Sequence, residues 1–217
     1  MFQVRLWHGI LHPSAAFMEL QQAETVRGFF RRLVILALCN ALLSGLGVYM
    51  GLDTERFTAL IGKMPDGFIE TAKLLFAAGA IGHGLIAPMI VMYITSLLIW
   101  LILRGKVSFE KIMTIELYAM FIYVIEHALF LLFRLITGAN VFSSPFGLGI
   151  IAQLAFDHLF LIYFFQSITI FSIWGLAVQT IGLTICSSMS KWSVLTIVAI
   201  VYLFIRLAAS LIFVIVQ

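Results

Sequence analysis

Long apolar stretches, almost free of charge, make up most of this chain after its first 32 residues. Of its 217 residues, 63% are hydrophobic and only 11% are charged. A soluble domain would expose part of that apolar surface to water, so we expect lipid to surround it. Each stretch is close to the roughly 20 residues that a helix needs to cross the hydrocarbon core. We therefore predict an all-α fold, a polytopic transmembrane helical bundle of about five spans. The predicted spans are about 33–51, 80–103, 113–136, 165–186 and 193–216.

An amphipathic, basic N-terminal arm (1–32) precedes the bundle (33–217). Residues 1–12 carry apolar side chains at helical spacing, which predicts a short helix in the membrane interface with Trp7 at headgroup depth. Pro13 is well placed to start a second helical piece, because proline suits a first helical turn. The membrane-surface basic residues of the arm are Arg27, Arg31 and Arg32.

Two apolar stretches are longer than one span. Residues 68–103 are expected to begin with an amphipathic or half-buried helix and to kink near Pro88. In the second long stretch, 146–186, residues 148–162 are expected to form a shorter, partly inserted helix before the span 165–186. A sixth full crossing there is the alternative. The mixed-charge loop 52–73 is expected to lie on the membrane surface.

The lysine and arginine residues in the short flanks predict the orientation of the bundle. With five crossings, the side of the arm carries eight of them and the opposite side carries four. Cytoplasmic flanks usually carry the excess, so we predict a cytoplasmic N-terminus. The eight are Arg5, Arg27, Arg31, Arg32, Arg104, Lys106, Lys111 and Lys191, and the four are Arg56, Lys63, Lys73 and Arg134.

Three groups of residues resemble a known family. The first is Trp7 followed by His12, Pro13, Phe17 and Leu20. The second is 98–109 (LIWLILRGKVSF), followed by a span that starts near Ile115 and Tyr118. The third is 173–183 (IWGLAVQTIGL), followed by Ser190, Lys191 and a final span. In these places the chain is similar to the Yip-type domain family, the membrane proteins that interact with Ypt/Rab GTPases.

The resemblance covers about residues 7–217 and implies a five-span bundle with a cytosolic N-terminus. Family members are generally non-enzymatic, and the eukaryotic ones act in vesicle traffic with small GTPases. This chain lacks their long cytosolic N-terminal region and looks like the short prokaryotic kind, some of which are associated with export machinery. The resemblance therefore implies a bacterial inner membrane and makes a small GTPase partner doubtful. Where relatives often carry Asp before the Trp of the fourth span, this chain has Thr169.

Several ionisable residues fall inside the apolar stretches, where charge is costly and usually faces the bundle interior or a wet cavity. In the third span, Tyr123, His127 and Arg134 fall within roughly 20° of Glu116 around the helix axis. Glu126 lies about 80° from that stripe. The predicted intramembrane polar cluster is Glu116, Tyr123, Glu126, His127, Arg134, Asp157 and Arg206.

Three interpretations of this cluster stay open. It can be a structural seam, with Glu116 or Asp157 paired to Arg206 or Arg134. It can be a proton or ion pathway, because Glu and His side chains form proton relays. It can be a metal site, because imidazole and carboxylate ligands suit zinc or manganese, although the usual helical ligand spacing is absent. The metal-ligand candidates are His83, His127, His158 and Asp157.

Small residues in the first and fourth spans predict close helix packing. The predicted packing positions are Gly45, Gly47, Gly175, Gln179 and Gly182, with Gln179 as a hydrogen-bonding residue between helices. No nucleophile elbow, phosphate-binding loop, dinucleotide-binding glycines or zinc helix occurs, so neither an enzyme nor a cofactor is predicted.

The sequence favours a non-enzymatic, Yip-type integral membrane protein, a scaffold or accessory subunit of a transport or trafficking complex. One alternative is a small ion or proton channel or transporter that uses the Glu116–His127–Arg134 stripe. The other is a metal-dependent intramembrane enzyme. The expected partners are the lipid bilayer and other membrane proteins, a second copy of the chain among them, and not nucleic acid.

Overall fold

The computed structural model describes residues 1–52 and 68–216, which form nine helices and one two-stranded sheet. Arg56, Lys63 and most of the expected surface loop lie outside the described residues. In chain order the elements are β1 Phe2–Gln3, α1 Leu6–Leu11, α2 Pro13–Gln22, β2 Val26–Arg27, α3 Phe29–Tyr49, α4 Ile69–Ile102, α5 Phe109–Thr137, α6 Gly149–Ala155, α7 Leu159–Gln166, α8 Ile170–Ser187 and α9 Lys191–Val216.

Five of the described helices, α3, α4, α5, α8 and α9, are long and apolar enough to cross a membrane. The predicted class, a polytopic helical bundle, is confirmed. The short connections 103–108 and 188–190 turn the chain back on itself. As a result, α3, α5 and α9 begin at the same end of the bundle at which α4 and α8 finish. We call this end the basic end, because the arm and both short connections lie there.

The predicted division of residues 68–103 into a separate amphipathic helix and a span is wrong, because α4 is one continuous helix of 34 residues that contains Pro88. At 1.5 Å per residue it is about 51 Å long, longer than the hydrocarbon core of about 30 Å. Helix α4 packs lengthwise against α3. A neighbouring helix that supplies polar groups is what lets a transmembrane helix tolerate proline.

The single helix expected at 148–162 is also wrong, because the chain breaks between Ala155 and Leu159 and forms α6 and α7 instead. These helices have 7 and 8 residues and are about 10 and 12 Å long, too short to cross a bilayer. Helix α8 then begins at Ile170, later than expected. The Thr169 hydroxyl accepts a 3.0 Å hydrogen bond from the Ser172 amide and caps the helix there.

The N-terminal arm is folded against the bundle. Its first residues are extended, not helical as predicted, because β1 pairs in parallel with β2. The predicted helix start at Pro13 is confirmed. Phe17 and Leu20 of α2 are fully buried, so most of the apolar side of the arm contacts protein. Trp7 is 64% exposed, and its ring meets the Phe121 ring edge-on at 4.9 Å between centroids.

Candidate functional site

A cavity of about 470 Å³ lies between all five long helices. Its size falls in the range of about 300–1,000 Å³ that is typical of small-molecule sites. The wall mixes apolar side chains with carboxylate, guanidinium, imidazole, amide and phenol groups. Such groups are rare inside a bilayer and usually have a function there. We therefore take this cavity as the candidate site.

One wall of the cavity is organised by Asn40 of α3. Its Nδ2 donates a 2.7 Å hydrogen bond to the carbonyl oxygen of Gly84 in α4. In a regular helix that oxygen would accept from the residue four positions on, which is Pro88 and has no N–H. The Asn40 Oδ1 lies 2.7 Å from Nδ1 of His127 in α5. An amide oxygen only accepts, so Nδ1 is the donor and Asn40 joins three helices.

Another part of the wall contains Glu116 of α5, which is only 4% exposed. Its Oε2 accepts a 2.7 Å hydrogen bond from Nε2 of Gln179 in α8. The seam interpretation expected an arginine partner for Glu116, and the structure gives it this amide instead. Gly175, one helical turn before Gln179, lies on the same wall. The Gln179 position therefore joins α8 to α5, as its predicted packing role requires.

A second carboxylate, Glu126, lies nearer the other end of the cavity. It lies beside the side chain of Thr169 and within electrostatic reach of the Arg206 guanidinium in α9. Arg206 is placed over the ring of Tyr202, 5.1 Å from its centroid. The Tyr202 hydroxyl donates a 2.8 Å hydrogen bond to the carbonyl oxygen of Ser167, which fixes α9 against the start of α8.

The cavity ends in an apolar layer toward the basic end. Its lining includes Thr95, Glu116, Gln179 and Val198, from four helices. One turn closer to the basic end on each helix is an aliphatic residue that is at most 1% exposed. These four residues, which we call the cavity floor, are Ile99, Ile112, Leu183 and Val194. All four side chains are apolar and buried, so this layer offers no polar group of its own to an ion.

Most of the predicted polar cluster meets in the cavity. Five of its seven residues line the wall: Glu116, Tyr123, Glu126, His127 and Arg206. Two do not. Arg134 is buried past the cavity at the end of α5, where its Nε donates a 3.2 Å hydrogen bond to the carbonyl oxygen of Ala139. Asp157 is exposed in the break between α6 and α7.

The four metal-ligand candidates are not brought together. His83 and His127 line the cavity, whereas Asp157 and His158 are exposed between α6 and α7. Within residues 1–52 and 68–216, no three His, Cys, Asp or Glu side chains are grouped so that they could hold a metal ion.

The predicted packing glycines lie at close helix contacts. A Cβ on Gly45 would meet the Ile81 side chain, and one on Gly182 would come within 3.0 Å of Ile115. At Gly47 and Gly175 the nearest contacts would be 3.3 Å and 3.9 Å, which leaves more room. The arm residues Arg27, Arg31 and Arg32 line a smaller pocket of about 220 Å³ where α3 begins, and the first two are exposed.

Sequence reasoning missed the roles of three residues at this site. The sequence patterns used above assign no role to Asn40, Gly84 or Tyr202. The signal for the first two was present. A proline inside a span leaves the carbonyl oxygen four residues before it without a helical donor, and a side-chain amide in the neighbouring span can supply that donor. No comparable signal marks Tyr202.

These features define a polytopic helical membrane protein with a cavity between its five spans that is lined by polar and apolar side chains. Residues 7–214 match the family model described as the Yip1 domain, and the chain belongs to that family. The resemblance seen in the sequence motifs is therefore confirmed. No curated protein and no solved structure matches the chain.

Proposed function

We propose that this protein is a non-enzymatic accessory or scaffold subunit of a membrane transport or trafficking complex. In this proposal it resides in a bacterial inner membrane with the basic end in the cytoplasm. Membership of the Yip1 domain family supports the general class. The charge at the basic end is the observation that carries the docking role.

Among residues 1–52 and 68–216, the basic end gathers eight lysine and arginine residues and three acidic ones, Glu19, Glu24 and Glu110. Some of the eight come from the folded arm and the others from the ends of α4, α5 and α9. Six of the eight are exposed: Arg5, Arg27, Arg31, Arg104, Lys106 and Lys191.

Such a face attracts an acidic cytoplasmic segment of another membrane protein. Complementary charge raises association rates and orients the partner more than it adds raw affinity. Anionic lipid competes for the same residues, at about 1 kcal/mol per basic side chain near the surface. Arg104 and Lys106 are both exposed in the short connection 103–108, which is the part that we expect a partner to contact.

Neutralising this connection tests the proposal. The test variant is Arg104→Gln with Lys106→Gln, and the control, Arg104→Lys with Lys106→Arg, keeps both charges. After cross-linking in native membranes, we expect the wild type and the control to capture the same membrane proteins, with acidic cytoplasmic segments, and the test variant to lose them. Capture should weaken as salt rises, because exposed charges are screened. An identical cross-linking pattern in both variants would contradict the docking role.

The cavity itself favours a second candidate function, a transporter that binds its substrate between the spans. The cavity floor makes a permanently open channel the less suitable form. The flux of protons or small ions into proteoliposomes that contain the purified protein tests this candidate. Glu116→Gln and His127→Ala should abolish flux while the purified variants stay folded, and wild-type vesicles without any flux would exclude it.

A further inference from the structure

Glu116 has a carboxylate oxygen that the described part of the chain leaves unsatisfied. Its Oε2 is held by Gln179, whereas its Oε1 is buried and accepts no hydrogen bond from any described residue. Most buried polar atoms in folded proteins have a partner, and a missing one typically costs about 1–3 kcal/mol. Glu116 lines the cavity. A hydrogen-bond donor in the cavity becomes this partner once the side chains that cover Oε1 shift and expose it.

The charges on the wall select the kind of donor. Two carboxylates line the cavity, Glu116 and Glu126, against one guanidinium, Arg206. Arg206 is within electrostatic reach of Glu126, and Glu116 is bound by a neutral amide. With both acids ionised and the imidazoles of His83 and His127 neutral, the wall carries one net negative charge, and Glu116 is the carboxylate held by an amide and not by a cation. A cationic donor fits this position better than a neutral one.

The size and the remaining wall describe the rest of the ligand. A volume of about 470 Å³ exceeds what a bare ion requires, and the described residues offer no three-ligand metal group. The rings of Tyr123 and Phe171 line the cavity and present aromatic surfaces of the kind that attract organic cations. Aliphatic side chains, among them Val91 and Leu176, offer an apolar surface for a hydrocarbon chain.

We propose that the cavity binds a primary alkylammonium group, with the ammonium on the Glu116 carboxylate and the alkyl chain on the apolar wall. A primary ammonium supplies the N–H donor that Oε1 lacks, which a quaternary ammonium cannot. The same chemistry occurs in a free amine and in the headgroup of an aminophospholipid. This binding site is independent of partner docking at the basic end, so the failure of either proposal leaves the other standing.

The test uses the purified full chain in detergent, titrated with n-butylammonium, butyltrimethylammonium and 1-butanol by calorimetry. We expect butylammonium to bind more tightly than the other two. Glu116→Gln should weaken its binding at least tenfold. The control, Glu110→Gln, lies on the same helix but is exposed and outside the cavity, and it should leave binding within twofold of the wild type.

A second arm distinguishes the two sources of the amine. Native mass spectrometry would compare retention of phosphatidylethanolamine and phosphatidylglycerol. Selective retention of the former, lost in Glu116→Gln, supports an aminophospholipid, whereas butylammonium binding alone supports a free amine. No binding of either by the wild type overturns the proposal, and so does equal binding by Glu116→Gln or by the neutral alcohol.

A measurement on the wild type keeps the proposal testable if Glu116→Gln does not fold. A membrane-permeable carbodiimide activates carboxyl groups and couples them to a nearby amine. With butylammonium present, peptide mass spectrometry should find the butylamide on Glu116. Amide found on exposed acids such as Glu110 and absent from Glu116 would overturn the site.

Discussion

The side-chain amide of Asn40 donates to the backbone oxygen of Gly84, the one carbonyl in α4 that Pro88 deprives of its helical donor. This 2.7 Å hydrogen bond satisfies the Gly84 oxygen with a donor from another helix, α3. It lies beside the candidate cavity, and the other end of the same amide contacts His127. Cavity shape and helix continuity therefore depend on one side chain.

Asn40 and Pro88 should be energetically coupled. Asn40→Ala should lower the free energy of unfolding by about 1–2 kcal/mol, the range of hydrogen bonds between transmembrane helices. In a Pro88→Ala background the cost should be smaller, because the new N–H at position 88 can satisfy the Gly84 oxygen. Thermal and denaturant unfolding of the four proteins in detergent gives the coupling free energy. Cys39→Ala, at an exposed neighbour, is the control. If Asn40→Ala lowers the free energy of unfolding equally in both backgrounds, the Asn40 side chain does not replace the donor that Pro88 lacks.

Two glycines on α4 should respond differently to the same substitution. A Cβ on Gly84 would lie 3.0 Å from Cα of Ala41 and still closer to the Ser44 hydroxyl, whereas a Cβ on Gly82 would meet nothing within 4 Å. Overpacking typically costs about 1–3 kcal/mol, so Gly84→Ala should destabilise the bundle. Gly82→Ala should be neutral or stabilising, because alanine is the better helix former. Unfolding midpoints of the two variants, compared with the wild type, decide this. A midpoint for Gly84→Ala at or above that of Gly82→Ala would mean that α3 and α4 are not in close contact there.

The spans and much of the cavity wall follow from the sequence for one physical reason. Lipid requires long, internally hydrogen-bonded apolar helices, so five spans can be counted from hydropathy. On a regular helix the 3.6-residue period puts Glu116, Tyr123 and His127 on one side, and the structure has all three on the cavity. Arg134 shares their direction but lies two turns beyond His127, so periodicity alone could not exclude it.

Features that depend on neighbours in space could not be predicted in this way. The break at residues 156–158 has no glycine or proline to mark it. The parallel pairing of Phe2 with Val26 joins segments whose local patterns gave no sign of a sheet. The partner of Glu116 depends on which face of α8 turns toward α5, and Gln179 and Arg206 were both suitable candidates before the helices were placed.

The arm should be held to the bundle mainly by its buried aromatic contact. Phe17 is fully buried, and its ring meets the Tyr118 ring edge-on at 5.4 Å between centroids. Phe17→Ala should cost about 3–5 kcal/mol and loosen the arm, because large-to-small core changes leave a cavity. Trypsin should then cleave after Arg27 faster than in the wild type. Met18→Ala is the matched control, because Met18 is 50% exposed. Equal cleavage rates in the two variants would show that the arm is held in another way.

The direction of the five spans can be read from the labelling of single cysteines. Cys39 and Cys186 are first replaced by alanine, and a cysteine is then placed at Ser108, Ser190 or Asn140, all of which are exposed at helix ends. With five crossings and a cytoplasmic basic end, a membrane-impermeant maleimide added to intact cells should label only the cysteine at 140. The cysteines at 108 and 190 should react only in inverted vesicles, because both connections lie at the basic end. A sixth crossing between residues 140 and 190 would instead place 190 on the same side as 140. Labelling of 108 from outside would reverse the whole orientation and place the basic end away from any cytoplasmic partner.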